Sequence, residues 1–339
     1  MTQPDNSRPD AEGAELDTVG SVHELAVLER IFPLLPVASA ALLGPGDDAA
    51  VIAAPDGRFV VTTDMMVHGP DFRFAWSTGH DLGWKAAASN LADVAAMGAR
   101  PTALVVAIAA TRDTPVALLE QIASGLRDAC AELAPGCGVV GGDMSVSDTF
   151  TLAITAFGDL EGRAPVTRSG ARPGDVIALC GDAGVAAAGL RLLFSDAVDA
   201  DGKPDRARAD RLRSEHPDTV GAQLAPCPPI SSGVTAALAG ATAMLDVSDG
   251  LALDARRIAK ASGVNLNLHG DRLGSDPEAA LRGGEDHALL ATFSADAALP
   301  SGFRVIGDVT EGTGVTLDGQ AIAGVLGWDP YEGWNGKTG

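Results

Sequence analysis

The sequence predicts a mixed α/β (α+β) protein built from two successive units. Short apolar runs rich in Val, Ile and Thr alternate with longer Ala- and Leu-rich stretches of helical period. One polar, turn-rich segment, "RSGARPGD" at 168–175, interrupts that alternation. The 339 residues are enough for two domains of ordinary size. Residues 1–19, polar and acidic, are expected to be a disordered tail. Residues 20–165 then form the first unit and 166–335 the second.

In order, residues 22–35 carry an amphipathic helical pattern that Pro33 should cut short. Two strands follow, "AAVIAA" and "RFVVTTD", joined by a turn at 55–57. A long helix over 77–98 can be capped by Ser77 or Thr78 and ended by Gly98. Strand 102–110, helix 115–134 and strands 137–141 and 149–158 complete the first unit. The second runs through strand 176–181, helix 183–194, strand 243–247, helix 250–261 and strand 264–268. The charged stretch 195–218 reads as a solvated loop or surface helix without catalytic duty.

The formal net charge is −21. That argues against nucleic acid as a partner, because phosphate backbones attract Lys and Arg. No run reaches the roughly 18 apolar residues of a membrane span. The N-terminus lacks the basic-then-apolar order of a signal peptide, so the expected location is the cytoplasm. Cys130, Cys137, Cys180 and Cys227 form no C-x-x-C pair and are expected as buried free thiols. "GPGDDA" at 44–49 fits a loose dinucleotide fingerprint, but a strand follows it where a helix is required. "GKT" at 336–338 lacks the P-loop glycine, since position 331 is Tyr. There is no G-x-S-x-G elbow and no zinc spacing among the histidines.

What remains is a set of acids in Gly-rich, apolar surroundings: Asp47, Asp48, Asp64, Asp93, Asp143, Asp246, Asp249, Glu285 and Asp286. Each alone has a plain structural reading as a turn residue or helix cap. Together they are expected at strand ends facing one edge. Carboxylates crowded in this way repel or take up protons. Hard divalent cations, Mg²⁺ or Mn²⁺, would neutralise them. Cations held by acids, beside Gly-Gly turns that admit phosphate, describe a phosphoryl-transfer site.

The motifs "GDDAAV", "TTDMMV", "WKAAASNLADVAAMGARP", "VVGGDMS", "TRSGARPGD", "LDVSDGLALD", "GGEDHALL" and "GWDPY" resemble, in order and over residues 20–331, the thiamine-monophosphate kinases. These are relatives of aminoimidazole ribonucleotide synthase and selenophosphate synthetase. The resemblance implies the two-domain fold of that synthase, with a dimer formed through the N-terminal sheet. It implies ATP-dependent conversion of thiamine phosphate to thiamine diphosphate, the last step of that cofactor's synthesis, with several Mg²⁺ ions. It implies Asp47, Thr62, Thr63, Asp64, Asp93, Asp143, Asp246 and Asp249 as metal ligands. Gly142, Asp143, Arg168 and Ser248 would contact ATP, and Glu285 and Trp328 the thiamine moiety. The family usually has His before Phe after "TTDM". Here the pair is Asp71-Phe72, so either Asp71 or the earlier His68 serves the substrate. Two other readings stand beside this one: another ATP-using member of the superfamily, or a non-catalytic nucleotide or thiamine-phosphate binding protein.

Overall fold

The computed structural model describes residues 17–22, 24–44, 49–324 and 326–328. Most of the expected tail, and Asp47 with Asp48, lie outside the described residues. Helix α1 (Glu24–Ile31) gives way to a single 3-10 turn at Phe32–Leu34, because Pro33 has no amide to continue the ladder. A small antiparallel hairpin follows, β1 (Ala41–Leu43) and β2 (Val51–Ile52). Then come β3 (Val60–Val67), α2 (Gly79–Ala96), β4 (Arg100–Ala110), α3 (Val116–Leu133), β5 (Gly138–Val146) and β6 (Thr151–Asp159). Thr78 caps α2 in a reciprocal box: its hydroxyl accepts from Asp81 N–H, and Asp81 accepts from Thr78 N–H.

These strands form a four-stranded sheet in the order β3-β6-β4-β5. Its inner face carries Leu104, Val106, Leu152 and Ile154 into a core with α2 and α3. The helices approach closely enough that a Cβ on Gly83 would lie 2.0 Å from the Ile122 carbonyl oxygen, and one on Gly125 would lie 2.1 Å from that of His80.

The second part contains β7 (Val176–Cys180), α4 (Val185–Asp196), α5 (Arg206–Glu215), α6 (Pro217–Leu224), α7 (Ile230–Leu238), β8 (Ala243–Val247), α8 (Leu251–Ser262) and β9 (Asn265–Leu268). After these come α9 (Pro277–Arg282), β10 (Ala288–Phe293), β11 (Phe303–Thr310), β12 (Gly314–Leu317) and β13 (Gln320–Ala321). The seven strands order as β13-β12-β9-β11-β7-β10-β8. All neighbours are antiparallel except β12 and β9. One face, with Ile177, Leu179, Leu245 and Val247, packs on α8. The other, with Ala178, Met244, Leu289 and Ala291, packs with Ala96 of α2 and Ala236 of α7. Residues at even positions of β8 therefore face α2, and this brings Asp246 toward the first sheet.

The 195–218 stretch is more than a solvated surface. Arg213 bonds Asp81 at 2.5 Å, Arg206 donates to the carbonyls of Phe74 and Ser77, and Trp76 Nε1 donates to the Ala197 carbonyl at 2.9 Å. It braces the loop that leads into α2. Cys130, Cys137 and Cys180 are buried as expected, but Cys227 is exposed, because it sits in the short connection between α6 and α7. Among the described residues no helix is long and apolar enough to cross a membrane.

The α2–α3 contact gives a stability test. Gly83→Ala should destabilise by about 1–3 kcal/mol, the usual range for overpacking. Urea unfolding measures it, and an unchanged midpoint would contradict the close approach.

Candidate active site

Three elements converge where the two sheets meet. From β3 come Thr62 and Asp64, two apart and so on one face of the strand. From α2 come Lys85, Ser89 and Asp93, spaced by four and so on one stripe. From β8 comes Asp246, on the face turned to α2. Thr62 Oγ1 donates to Asp93 Oδ2 at 2.9 Å, and Asn90 of α2 accepts from the Asp64 amide at 3.1 Å. His287 donates from Nδ1 to Asp246 Oδ2 at 3.2 Å, and both side chains are buried.

These acids repel one another. Burial, reinforced by the charges of Asp246 and Asp64, pushes Asp93 up to about 7. Asp64 is exposed to solvent on one side and faces protein on the others. Burial raises it above the ordinary carboxylate range, and Asp246, Glu285 and Asp249 add to the rise. His287 opposes both shifts. Burial disfavours its own charged form, but the bond to Asp246 outweighs that and raises its pKa.

The "GGEDH" segment sends its three polar side chains in three directions. Glu285, at φ +74°, turns toward a cleft and accepts from Lys85 Nζ at 2.5 Å. Asp286 accepts from Gly184 and Ala186 amides at 2.6 and 2.8 Å, which holds the start of α4. His287, at φ +52°, returns to the acid cluster. Left-handed backbone at two non-glycine residues marks a strained segment held by its surroundings.

The cleft beside the cluster has a volume of about 1070 Å³. Asp71, Arg73, Trp76 and Lys85 line it from the first part of the chain, and Phe194, Ser248, Glu285 and Trp328 from the second. The expected substrate residues Asp71, Glu285 and Trp328 thus meet in one cavity, with Ser248 at its wall. His68 does not line it: its ring stacks on Phe74 at 4.6 Å. Along α2, Lys85 in the cleft and Asp93 in the cluster are two turns apart, about 12 Å.

Several residues fall elsewhere than expected. Asp64 and Asp143 are not at strand ends but inside β3 and β5. The register places Asp64, Ile154, Val106 and Gly142 in one row across the sheet, and Met65, Ala153, Ala107 and Asp143 in the next. Adjacent rows face opposite sides. Asp143 is therefore on the outer face, three strand spacings or about 14 Å from Asp64. Gly142 is where β5 hugs β4: a Cβ there would lie 2.1 Å from the Val106 carbonyl oxygen. Thr63 also faces outward, its hydroxyl donating to the Ile154 carbonyl at 2.9 Å. Arg168 is exposed on the connection between the parts, and its carbonyl accepts from Ser262.

Asp249 pairs with Arg257 at 2.6 Å. Neither it nor Ser248 caps α8, which starts at Gly250 without a side-chain cap. The buried Asp254 accepts from the Asp249 amide at 3.1 Å and is pushed up to about 6 by burial, against Arg257. Lys85 and His287 escaped the sequence reading. Lys85 is one ammonium in an alanine-rich helix, and its only signal was being the sole cation of that stripe.

The donor set is oxygen: carboxylates and one hydroxyl. Among the described residues, no three His, Cys, Asp or Glu side chains come together tightly enough to cage a metal. Mg²⁺ does not need such a cage, since it usually keeps water and takes one or two carboxylates plus substrate phosphates. The raised Asp93 and Asp64 show that negative charge here lacks compensation, so the residues present fit a hard cation.

The sign of the pH effect follows. Asp93 is raised from 3.8 to about 7, so its contribution to stability is present below pH 4 and is lost as pH rises through 7. With EDTA present, Asp93→Asn should be more stable than the parent at pH 8 by on the order of 1–3 kcal/mol, with little difference at pH 4. Urea unfolding at both pH values checks it. A variant less stable at pH 8 would contradict the crowding.

Residues 46–160 match the family model described as AIR synthase related protein, N-terminal domain. The thiamine-monophosphate kinase of Mycobacterium tuberculosis (strain ATCC 25618 / H37Rv) is 41% identical, covering 98% of this chain and 97% of that protein. That of Corynebacterium glutamicum is 40% identical, covering 84% of this chain and 88% of that protein. The crystal structure of thiamine monophosphate kinase from Aquifex aeolicus superposes with a TM-score of 0.69 at 30% identity, covering 81% of this chain and 91% of that one. AaThiL complexed with AMPPCP and TMP superposes with a TM-score of 0.70 at 30% identity, covering 83% of this chain and 90% of that one. The Escherichia coli hydrogenase maturation protein HypE, 16% identical with a TM-score of 0.66, shares the fold. With its relatives matched over nearly its whole length, the chain belongs to the thiamine-monophosphate kinase family.

Proposed function

We propose that this protein transfers the γ-phosphoryl group of ATP to thiamine phosphate, giving ADP and thiamine diphosphate. The observation that carries this is the adjacency of an acid cluster and a cleft. An acid cluster suited to cation-bound phosphates adjoins a cleft with an aromatic face and carboxylates suited to a cationic ring. The stripe from Lys85 to Asp93, about 12 Å along α2, connects the two. A relative of known structure holds AMPPCP and TMP.

The nucleophile is a phosphate oxygen of thiamine phosphate, already anionic near pH 7 because the second pKa of a phosphate monoester is about 6. Its electron pair attacks the γ-phosphorus in line, and the bond to the ADP oxygen breaks. No general base is required, and no residue is assigned that role. Mg²⁺ held by one or two of Asp64, Asp93 and Asp246, and reached by the others through water, would supply the charge that lets two polyanions approach. Thr62 fixes Asp93, His287 fixes Asp246, and Asn90 fixes the backbone of Asp64. Trp328, 47% exposed in the cleft, offers its indole face to the thiazolium. Ser248 and Arg168 are assigned to ATP on the family pattern. Arg168 would have to swing in from the connection.

We also propose a homodimer through the outer face of the first sheet. Val61 and Met65 project from it, 54% and 62% exposed, and Phe59 beside them is 58% exposed. Contiguous apolar exposure of this kind marks an association surface. Asp143 and Thr63 lie on that same face. A metal or ATP contact from Asp143 is then made in a site that both copies share. Residues 20–165 and 166–335 are taken as the two units, since no ladder joins the sheets. An ATP-consuming biosynthetic step suits the cytoplasm.

ADP formation by pure protein, ATP and Mg²⁺ tests the reading: it should require thiamine phosphate. ADP formed equally without it, or none at all, would contradict it. Asp64→Asn and Asp143→Asn should each lower turnover by about 100-fold or more with the fold retained, as loss of a metal charge does. Near-parental rates in both would remove the metal reading.

A further inference from the structure

Two carboxylates line the cleft, and their electrostatic states differ. Glu285 is matched: its Oε2 accepts from Lys85 Nζ at 2.5 Å. Lys85 is anchored in turn, its side chain 8% exposed and donating to the Gln223 carbonyl at 3.1 Å. Burial would raise Glu285, but the charge and bond of Lys85 together with the charge of His287 outweigh it and hold the carboxyl below its ordinary range. An ammonium and a carboxylate in contact present a dipole to a ligand several ångströms away, not a net charge. The other oxygen, Oε1, takes no hydrogen bond from a described residue and remains a directed acceptor.

Asp71 is the reverse case. Among the described residues it enters no ion pair, and its carboxylate accepts only from the Val67 amide, at 2.7 Å. The guanidinium two residues away, Arg73, does not reach it. It lies over the rings of Trp76 and Phe194, 4.6 Å from each centroid. Asp71 is thus a carboxyl without a counter-ion at the cleft wall, pushed above the ordinary carboxylate range by burial, so that a cation beside it would favour its charged form.

Resting on the kinase reading above, the ligand is thiamine phosphate, whose ring end carries two different groups. The thiazolium is a permanent cation without an N–H, and it needs net charge or a π face. The 4-aminopyrimidine is neutral and donates N–H bonds, so it needs a directed acceptor. We propose that Asp71 is the counter-ion of the thiazolium, and that Glu285, neutralised by Lys85, is the hydrogen-bond acceptor for the 4-amino group. Lys85 is then a positioning residue. It holds Glu285 in its left-handed backbone conformation and cancels its charge, so that the two acids do not compete for the cation.

Calorimetric binding of thiamine phosphate and of its neutral isostere, with carbon in place of the thiazolium nitrogen, separates the roles. Asp71→Asn should weaken thiamine phosphate about tenfold and the isostere hardly at all, because only the first loses a charge pair. Glu285→Gln should weaken the isostere about tenfold, as loss of a charged acceptor does, and thiamine phosphate at least as much, because Lys85 is then left unpaired beside the cation. In Lys85→Met the unpaired Glu285 gains net charge, so preference for the cationic ligand should rise. A purely structural lysine would weaken both alike. If Glu285→Gln penalised only the cation, or Asp71→Asn penalised both ligands equally, the assignment would be overturned. The unaltered protein gives an independent arm: oxythiamine phosphate, with a carbonyl for the 4-amino group, should bind about tenfold more weakly. Equal binding would overturn the Glu285 role. Binding that follows this pattern without ADP formation would fail the kinase reading and leave this one standing.

Discussion

Asp93, on a helix, and Asp64, on the strand that helix covers, face a third carboxylate that arrives from another sheet. Each is packed among protein atoms, and the described residues put one imidazole, His287, against the three. Everything near this point is arranged around that excess of negative charge. Thr62 and Asn90 spend their side chains on fixing Asp93 and the Asp64 backbone. His287 is held with left-handed backbone to reach Asp246. An arrangement that raises a carboxyl to about 7 costs stability at neutral pH. On the proposed function, a cation with its phosphates would offset that repulsion when bound.

The same helix joins this cluster to the substrate cleft. Its stripe carries Asp93 at one end and Lys85 at the other, so one rigid element sets the spacing between phosphoryl chemistry and ring recognition. The braces from Arg206, Arg213 and Trp76 hold the loop that enters α2 and so fix the cleft wall carrying Asp71 and Arg73. A segment rich in charge thus supports the cleft wall through the carbonyls of Phe74, Ser77 and Ala197 and the carboxylate of Asp81.

The sequence made the local elements legible where capping and period agree. Thr78, Asp81 and Gly98 bound α2 within two residues of the expected ends, and Pro33 ended α1. The run "AMLDVSDG" placed Asp246 at the end of a buried strand, as observed. Asp64 and Asp143 lie inside their strands instead, since β3 runs on through Met65 and Met66 and β5 runs on through Gly141 and Gly142. In β5 the glycines instead let two strands approach, so the strand continues past them. The outward turn of Asp143 depends on strand register across four strands, and no local pattern encodes that. The mostly antiparallel second sheet is equally non-local: β8 and β10 pair across some forty residues of intervening chain. Lys85 and His287 looked ordinary in sequence. Their meaning comes from partners at positions 285 and 246, which only folding brings near.

The central claim is that the carboxylates of β3, α2 and β8 form one cation site. Replacing Mg²⁺ by Mn²⁺ and locating the ion by anomalous diffraction, with a non-hydrolysable ATP analogue bound, tests it most directly. The account predicts manganese beside Asp64, Asp93 and Asp246, bound directly by one or two of them at about 2.0–2.1 Å and by the rest through water. Manganese found only on the nucleotide, with these three side chains unligated, would contradict it.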